Sequence, residues 1–160
     1  MFDLSEGLRQ VMRHWTAGVT VVTSKYIGSI HGMTVNSFTS ISLDPPIVSV
    51  TLANSTRTLE MVKNSGVFAV SILSENQANL SDRFAGKIPE EGDRFAGIDV
   101  FTLDSGAPLI SNSLAYLDCK VVNTYEMPNS TLILGEVIAA KTGENAPPLI
   151  YRNRSYHSLR

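Results

Sequence analysis

Changes in the spacing of hydrophobic and polar residues predict the first elements of the chain. Near the N-terminus apolar residues recur at steps of three and four, which is typical of an amphipathic helix. These residues are Leu4, Leu8, Val11, Met12 and Trp15. After Gly18 the pattern changes to β-branched runs that predict strands. The strands are expected over 19–24, from near His31, over 47–52 and over 67–73.

Two further helices are predicted between these strands from their end signals. Ser55 is the expected N-cap of a helix over 55–65, and Gly66 stands at the position favoured just past a helix end. The run SENQ at 74–77 has the form of a capping box. The second of these helices is therefore expected to continue from it and to end at Gly86.

The C-terminal half predicts more strands. Two long strands joined by Pro128-Asn129 form a predicted hairpin, and two short strands follow Pro147-Pro148. The charged, glycine-containing run 87–97 is expected to be an exposed loop. The predicted strands are 114–127, 130–142, 149–151 and 156–159. Because strands dominate and few helices lie between them, the expected fold is mainly β, a Greek-key-like antiparallel barrel with a few flanking helices and a single domain over 1–160.

Composition and charge limit the classes of function. The chain has 160 residues, of which 43% are hydrophobic and 18% charged, with a net charge of −2. This balance is typical of a globular domain and offers no general basic surface for nucleic acid. The N-terminal MFDLSEGLRQ does not resemble an export signal, and no apolar run approaches the roughly 20 residues of a membrane span. A cytoplasmic protein without a membrane partner is expected.

Cysteine usage gives no sign of a metal site. Cys119 is the single cysteine and lies in an apolar stretch, so a buried structural thiol is expected. No Cys-x-x-Cys pair or His/Cys cluster is present to ligate a metal.

The segment GMTVNSFTSISLDPP, residues 32–46, carries many short polar residues for a strand-like run. Strand alternation predicts one apolar face and one face of small hydroxyl and amide groups. The apolar face comprises Met33, Val35, Ile41 and Leu43. The polar face comprises Thr34, Asn36, Ser40 and Ser42. A polar face of this kind suits a flat heteroaromatic ligand, although a solvated strand face gives the same pattern.

The start of the helix over 55–65 is a second candidate binding feature. Ser55, Thr56, Arg57 and Thr58 place hydroxyls and a guanidinium at the positive end of the helix dipole, where backbone N–H groups favour a phosphate. The same residues also fit an ordinary N-cap with Arg57 in solvent. The residues alone therefore indicate no more than a phosphorylated aromatic ligand.

Several runs, taken together, resemble the short-chain flavin reductase family, whose fold is the FMN-binding split barrel. The runs are GVTVVTS, GMTVNSFTSISLDPPIVSVTL, NSTRTL, FAVSIL, DRFAG and PPLIYRNRSYHSL. The resemblance extends over nearly the whole chain, and residues 32–46 are its most specific part. Family members often have a glycine shortly before the last tyrosine, where this chain has Arg154-Ser155.

The resemblance implies an NAD(P)H:flavin oxidoreductase that reduces FMN or FAD and supplies the reduced flavin to a separate, aromatic-hydroxylating monooxygenase component. It implies a homodimer with transfer to the oxygenase by diffusion. No acid or base of the protein is needed, because hydride transfer is the chemistry of the two cofactors. The flavin contacts implied are Thr34, Val35, Asn36, Ser37, Thr51, Leu52, Ser55, Thr58 and Phe84. The nicotinamide contacts implied are His157, Arg152 and Tyr156.

Two other functions stay open on the sequence. One is an FMN-binding electron-transfer flavoprotein that does not turn over free flavin. The other is a protein like pyridoxamine-phosphate oxidase, which the GMTVNSF run disfavours. Sustained NADH oxidation with added flavin distinguishes a reductase from a carrier.

Overall fold

Strands form most of the regular structure in the computed structural model, which describes residues 3–88 and 92–159. The helices are α1 (Leu4–Met12), α2 (Arg57–Ser65) and α3 (Ala78–Phe84), and a 3-10 turn (Glu75–Gln77) precedes α3. The strands are β1 (Ala17–Gly18), β2 (Thr20–Tyr26), β3 (Ser29–Val35), β4 (Thr39–Leu43), β5 (Pro46–Ala53), β6 (Val67–Ile72), β7 (Val100–Thr102), β8 (Pro108–Ile110), β9 (Ala115–Glu126), β10 (Ser130–Thr142), β11 (Ile150–Arg152) and β12 (Ser155–His157). Within the described ranges, none of the helices has the length and apolar content needed to span a membrane.

The main sheet has the antiparallel strand order β3-β2-β6-β9-β10-β5-β4. The sheet is strongly curved, because residues of β3 at one edge and of β5 next to the other edge pack into one core. Members of that core include Val22, Val35, Val50, Val62, Phe68 and Ile133. The mainly β, barrel-like fold expected from the sequence is confirmed.

Ser37 links two strands that lie near opposite edges of the main sheet. It follows β3, and its hydroxyl donates to the carbonyl oxygen of Thr51 on β5 at 2.9 Å. The same oxygen accepts from the Thr51 N–H at 3.1 Å. One side chain therefore joins a strand at one edge of the sheet to a strand near the other edge.

The segment 32–46 does not form one alternating strand. β3 ends at Val35, and β4 starts at Thr39 with a register irregularity against β5 between Ser40 and Ser42. The prediction that Ile41 and Leu43 face the core is wrong, because they are 53% and 89% exposed. The break after Val35 and the position of β4 at the sheet edge end the alternation.

Several predicted boundaries need correction. The N-cap of α2 is Thr56 and not Ser55, since the Thr56 side chain accepts from the Leu59 N–H. Gly66 does close α2, with a φ of 73°. The capping box is present, with the Ser74 N–H donating to the Gln77 side chain at 3.0 Å, but it starts the 3-10 turn before α3.

The loop expected at 87–97 is not wholly exposed. Residues 89–91 lie outside the described residues, but Phe95 is buried and its ring packs edge-on against Phe84, with centroids 5.0 Å apart. The short sheet of β7 and β8 was not predicted. The β9–β10 hairpin and the two short terminal strands are confirmed, with ends shifted by at most two residues. The antiparallel pairing of β11 with β12 was not predicted.

Candidate functional site

Two adjoining clefts lie between β3, α2 and α3. The α2 cleft has a volume of about 490 Å³. It is lined by His31, Met33, Thr34, Thr56, Arg57, Thr58, Phe84, Ala85, Gly86 and Arg94. The β3 cleft has a volume of about 180 Å³. It is lined by Val19, Thr34, Val35, Asn36, Ser81, Ala85, Lys87, Tyr151 and Tyr156. Thr34 and Ala85 border both, so the two clefts adjoin at these residues.

The N-terminus of α2 forms the cationic end of the α2 cleft. Thr56 caps the helix, and its hydroxyl also donates to the Ala53 carbonyl at 2.8 Å. The first-turn backbone N–H groups of a helix have no partner within the helix, and the helix dipole makes this end positive. Arg57 stands at the first helical position and lines the cleft. This end of the cleft therefore suits a phosphate.

Thr58 supports the cleft from beneath. Its side chain is fully buried, and its hydroxyl lies 2.8 Å from Nδ1 of His31 on β3. The hydroxyl is thus held by the imidazole, which fixes the start of α2 against β3. Ser55 is exposed and is not among the residues that line the cleft. Of the two predicted phosphate residues, only Thr58 borders the cleft.

Phe84 forms an apolar wall of the α2 cleft because Gly32 leaves room for it. A Cβ added at Gly32 would lie 3.2 Å from Cε1 of Phe84 and 3.0 Å from Cγ2 of Thr23. Arg94 closes the same side, where its Nη1 donates to the Gly32 carbonyl at 3.0 Å. Gly32, the first residue of the GMT run, therefore joins this wall to the polar strand.

The β3 cleft is bounded by a hydrogen-bonded network. The Thr34 hydroxyl donates to the Ser81 carbonyl at 2.6 Å. The Tyr156 hydroxyl lies 2.7 Å from the Ser81 hydroxyl oxygen and donates to Oδ1 of Asp82 at 2.7 Å. Lys87 donates to the same Asp82 oxygen at 2.9 Å. These contacts fix the side chains around the cleft.

The network shifts the pKa values of its members. Hydrogen bonds from Lys87 and then from Tyr156 lower the pKa of the Asp82 carboxyl. The hydrogen bond to Asp82 raises the pKa of Lys87, and burial is the largest cause of a raised pKa at Tyr156. At neutral pH the cleft therefore has a charged Lys87 and a neutral phenol.

The structure brings together only part of the predicted flavin set. Thr34, Val35, Asn36, Thr58 and Phe84 line the two clefts. By contrast, Leu52 is fully buried in the barrel core, and Ser37 and Thr51 bond to each other across the barrel. These last three residues hold the barrel around the clefts.

Of the predicted nicotinamide residues, only Tyr156 lines the β3 cleft. Tyr156 also lines a second groove with Glu75 and Asn76, whereas His157 lines only the second groove. The His157 Nε2 lies 3.3 Å from the carbonyl oxygen of Arg152, whose side chain is exposed outside both clefts.

The sequence did not identify three charged or titratable residues of the clefts. They are His31, Lys87 and Arg94. His31 lies on β3, whereas Lys87 and Arg94 lie in the segment after α3, and no spacing in the sequence relates them to the ligand-facing strand. Among the residues that the structure describes, no group of His, Cys, Asp and Glu is arranged to hold a metal ion.

Comparisons with known proteins identify the family of the chain. Residues 12–160 match the flavin reductase like domain. The chain is 38% identical over 152 residues to the NADH-dependent flavin reductase StyB of Pseudomonas fluorescens, covering 93% of this chain and 86% of that protein. It is 31% identical over 156 residues to the reductase component of 4-hydroxyphenylacetate 3-monooxygenase of Thermus thermophilus, covering 98% and 97%.

A solved structure gives the same result for the fold. The NADH:FAD oxidoreductase SgcE6 of Streptomyces globisporus superposes with a TM-score of 0.91 at 32% identity, over 100% of this chain and 97% of that one. The family resemblance noted in the sequence is thereby confirmed, and the chain belongs to the flavin reductase like family.

Proposed function

We propose that this protein is an NAD(P)H-dependent flavin reductase that supplies reduced FMN or FAD to a separate monooxygenase component. The observation that carries the proposal is that the α2 and β3 clefts adjoin at Thr34 and Ala85. One end offers a helix N-terminus and Arg57, and the other offers polar and aromatic side chains together with Lys87. This is the order of chemical groups in a flavin, with a phosphate at one end and a heteroaromatic ring at the other.

The residues present fit a flavin. Arg57 and the α2 N-terminus would hold the phosphate, and Phe84 would cover an apolar part of the ligand. Thr34, Val35 and Asn36 would face the ring along β3, where they border the smaller cleft. A bound flavin supplies the chemistry of hydride acceptance. The chain's own contribution is to orient the reactants and to exclude water.

Lys87 and Tyr156 complete the ring end of the site. Hydride transfer moves two electrons and one hydrogen from the nicotinamide to the ring, so negative charge increases there. Lys87 is held beside the cleft by Asp82 and lies 5.1 Å from the centroid of the Tyr156 ring, where its charge favours the reduced product. Tyr156, with His157 and Arg152 near it on the terminal hairpin, would lie on the nicotinamide side.

Steady-state kinetics test this proposal against the carrier alternative. A reductase oxidises NADH or NADPH continuously when FMN or FAD is added in excess over protein. An electron-transfer flavoprotein without free-flavin turnover consumes at most a stoichiometric amount of donor. Absence of sustained oxidation with all four donor and flavin pairs would refute the reductase function.

The proposed assembly is a homodimer that releases reduced flavin to its oxygenase by diffusion. Support comes from α1, whose apolar residues lie outside the core of the single chain. Leu4, Leu8, Val11, Met12 and Trp15 are all more than half exposed, and a second copy can bury such a face. Sedimentation at micromolar concentration should give twice the 17.4 kDa chain mass, and a monomer with full activity would contradict this assembly.

Because the reaction needs a supply of reduced nicotinamide dinucleotide, the proposed location is the cytoplasm.

A further inference from the structure

An ion pair between Lys87 and Asp82 lies at the ring end of the proposed site. Lys87 lines the β3 cleft, and its Nζ lies 2.9 Å from Oδ1 of Asp82. Asp82 is on α3 and lines neither the α2 cleft nor the β3 cleft. The other titratable residues that line the β3 cleft are Tyr151 and Tyr156. The lysine therefore brings a positive charge to the cleft, and its counter-charge stands outside the cleft.

The end of α3 is built so that Lys87 reaches Asp82. Gly86 has a φ of 74°, a left-handed conformation that glycine adopts without strain. The Lys87 N–H then donates to the Asp82 carbonyl at 3.0 Å. This hydrogen bond closes the turn after the helix and brings the two side chains close together. The ion pair is therefore supported by the backbone.

Tyr156 also binds the Asp82 carboxylate. Its hydroxyl donates to the same Oδ1 atom at 2.7 Å, and the Lys87 Nζ lies 5.1 Å from the centroid of its ring. An ammonium group has three N–H donors. Lys87 can therefore keep its contact with Asp82 and still direct an N–H toward a ligand in the cleft. One carboxylate thus holds both the lysine and the phenol of the β3 cleft.

The charge of the ligand differs between its oxidised and reduced forms. A hydride from NAD(P)H brings two electrons and one proton to a neutral ring, so the reduced ring carries one negative charge and the donor leaves as NAD(P)⁺. A cation beside the ring favours the reduced form, and an anion paired with that cation offsets the preference. We propose that Asp82 is a positioning residue that limits the retention of reduced flavin, because it holds Lys87 at the ring and balances its charge. This inference rests on the proposed function, in which the reduced flavin must leave for the oxygenase.

The affinities of flavin-free protein for oxidised and reduced flavin test this role, with FMN and FAD as parallel probes. Quenching of flavin fluorescence gives the dissociation constant of the oxidised form. Anaerobic equilibrium dialysis with dithionite-reduced flavin gives that of the reduced form. Lys87→Gln should weaken binding of the reduced form about tenfold, and Asp82→Asn should strengthen it about tenfold. The affinity for the oxidised form should stay close to that of wild type, so the two-electron potential of the bound flavin should shift by about 30 mV, in opposite directions in the two variants.

A double variant shows whether Asp82 acts through Lys87. Asp82→Asn should strengthen binding of the reduced form less in a Lys87→Gln background than in wild type. An equal gain in both backgrounds would overturn the positioning role. Asparagine keeps an oxygen that can accept from Lys87 and Tyr156, so Asp82→Asn is expected to remain folded, and its urea denaturation midpoint checks this.

Asp99→Asn is the matched control, because it removes one negative charge from an exposed residue that lines neither cleft. Its affinities for both forms should equal those of wild type. An unchanged or lowered affinity of Asp82→Asn for reduced flavin overturns the inference. A wild-type protein that binds neither form refutes the flavin site and the inference with it. Failure of NAD(P)H oxidation alone refutes only the proposed function, because the reduced flavin in these titrations is prepared chemically.

Discussion

Replacing Arg57 with glutamine tests the phosphate end of the α2 cleft. Arg57 occupies the first helical position of α2 and lines the cleft. Glutamine has a helix propensity close to that of arginine, so the helix should persist while the charge is lost. The capping contacts of Thr56 and the buried pair of Thr58 with His31 do not involve the Arg57 side chain. The change is thereby confined to ligand binding.

The expected loss of FMN affinity follows from the contact removed. A hydrogen bond to a charged group contributes about 1.5 to 3 kcal/mol when it is well shielded. Arg57 is exposed in the structure, so solvent screening reduces this to about 1 to 2 kcal/mol. The dissociation constant for FMN should rise about 5- to 30-fold. The helix dipole and its backbone N–H groups remain, so binding should weaken without being abolished.

Riboflavin provides the decisive comparison, because it has the same ring and ribityl chain but no phosphate. Its affinity, measured by quenching of flavin fluorescence, should be the same in wild type and Arg57→Gln. The FMN effect should also diminish as salt is raised. Equal weakening of FMN and riboflavin, or no change for FMN, would show that Arg57 does not contact the phosphate and that the flavin is oriented differently.

Three further predictions concern the stability of the fold. Thr58→Val should lower the free energy of unfolding by about 1 to 2 kcal/mol in urea denaturation, because it removes the buried hydrogen bond to His31; an unchanged midpoint would contradict that role. Ile27→Asn should raise the free energy of unfolding by about 1 kcal/mol in the same urea denaturation. Ile27 has a φ of 46° in the β2–β3 turn, where asparagine is favoured. Burial raises the pKa of the Cys119 thiol to about 12, so stability should fall as pH rises above about 9, where the unfolded thiol ionises and the folded one does not; Cys119→Ala should lose that part of the pH dependence.

The strands and their order of appearance could largely be predicted because their signals are local. β-branched runs, the Pro128-Asn129 turn and Gly66 after α2 each determine structure within a few residues. β7 and β8 were missed because three-residue strands have too few positions to show a period. The error at Ile41 and Leu43 has another cause. Alternation predicts which residues share a face only while the strand continues, and this one is interrupted after Val35.

The candidate site could be predicted only where one segment supplies it. Thr34, Val35 and Asn36 were identified because they are consecutive and uncommon in a core strand. Lys87 and Arg94 reach the clefts through tertiary packing of the segment after α3, which no local pattern encodes. Leu52 and Thr51 were assigned to the flavin by resemblance alone. In the structure Leu52 packs in the barrel core and the Thr51 carbonyl accepts from Ser37, and their flavin contacts stay a prediction.

The arrangement of the α2 and β3 clefts explains how a flavin would be oriented in the proposed site. Thr34 and Ala85 border both clefts, and the Thr34 hydroxyl is fixed by the Ser81 carbonyl at 2.6 Å. A flavin held by its phosphate at the α2 N-terminus would place its ring at the end of β3, beside Lys87. Because the phosphate would be held at a distance from the reacting atoms, the end of β3 would determine the position of the ring, and the reduced flavin could leave without disrupting a buried charge cluster.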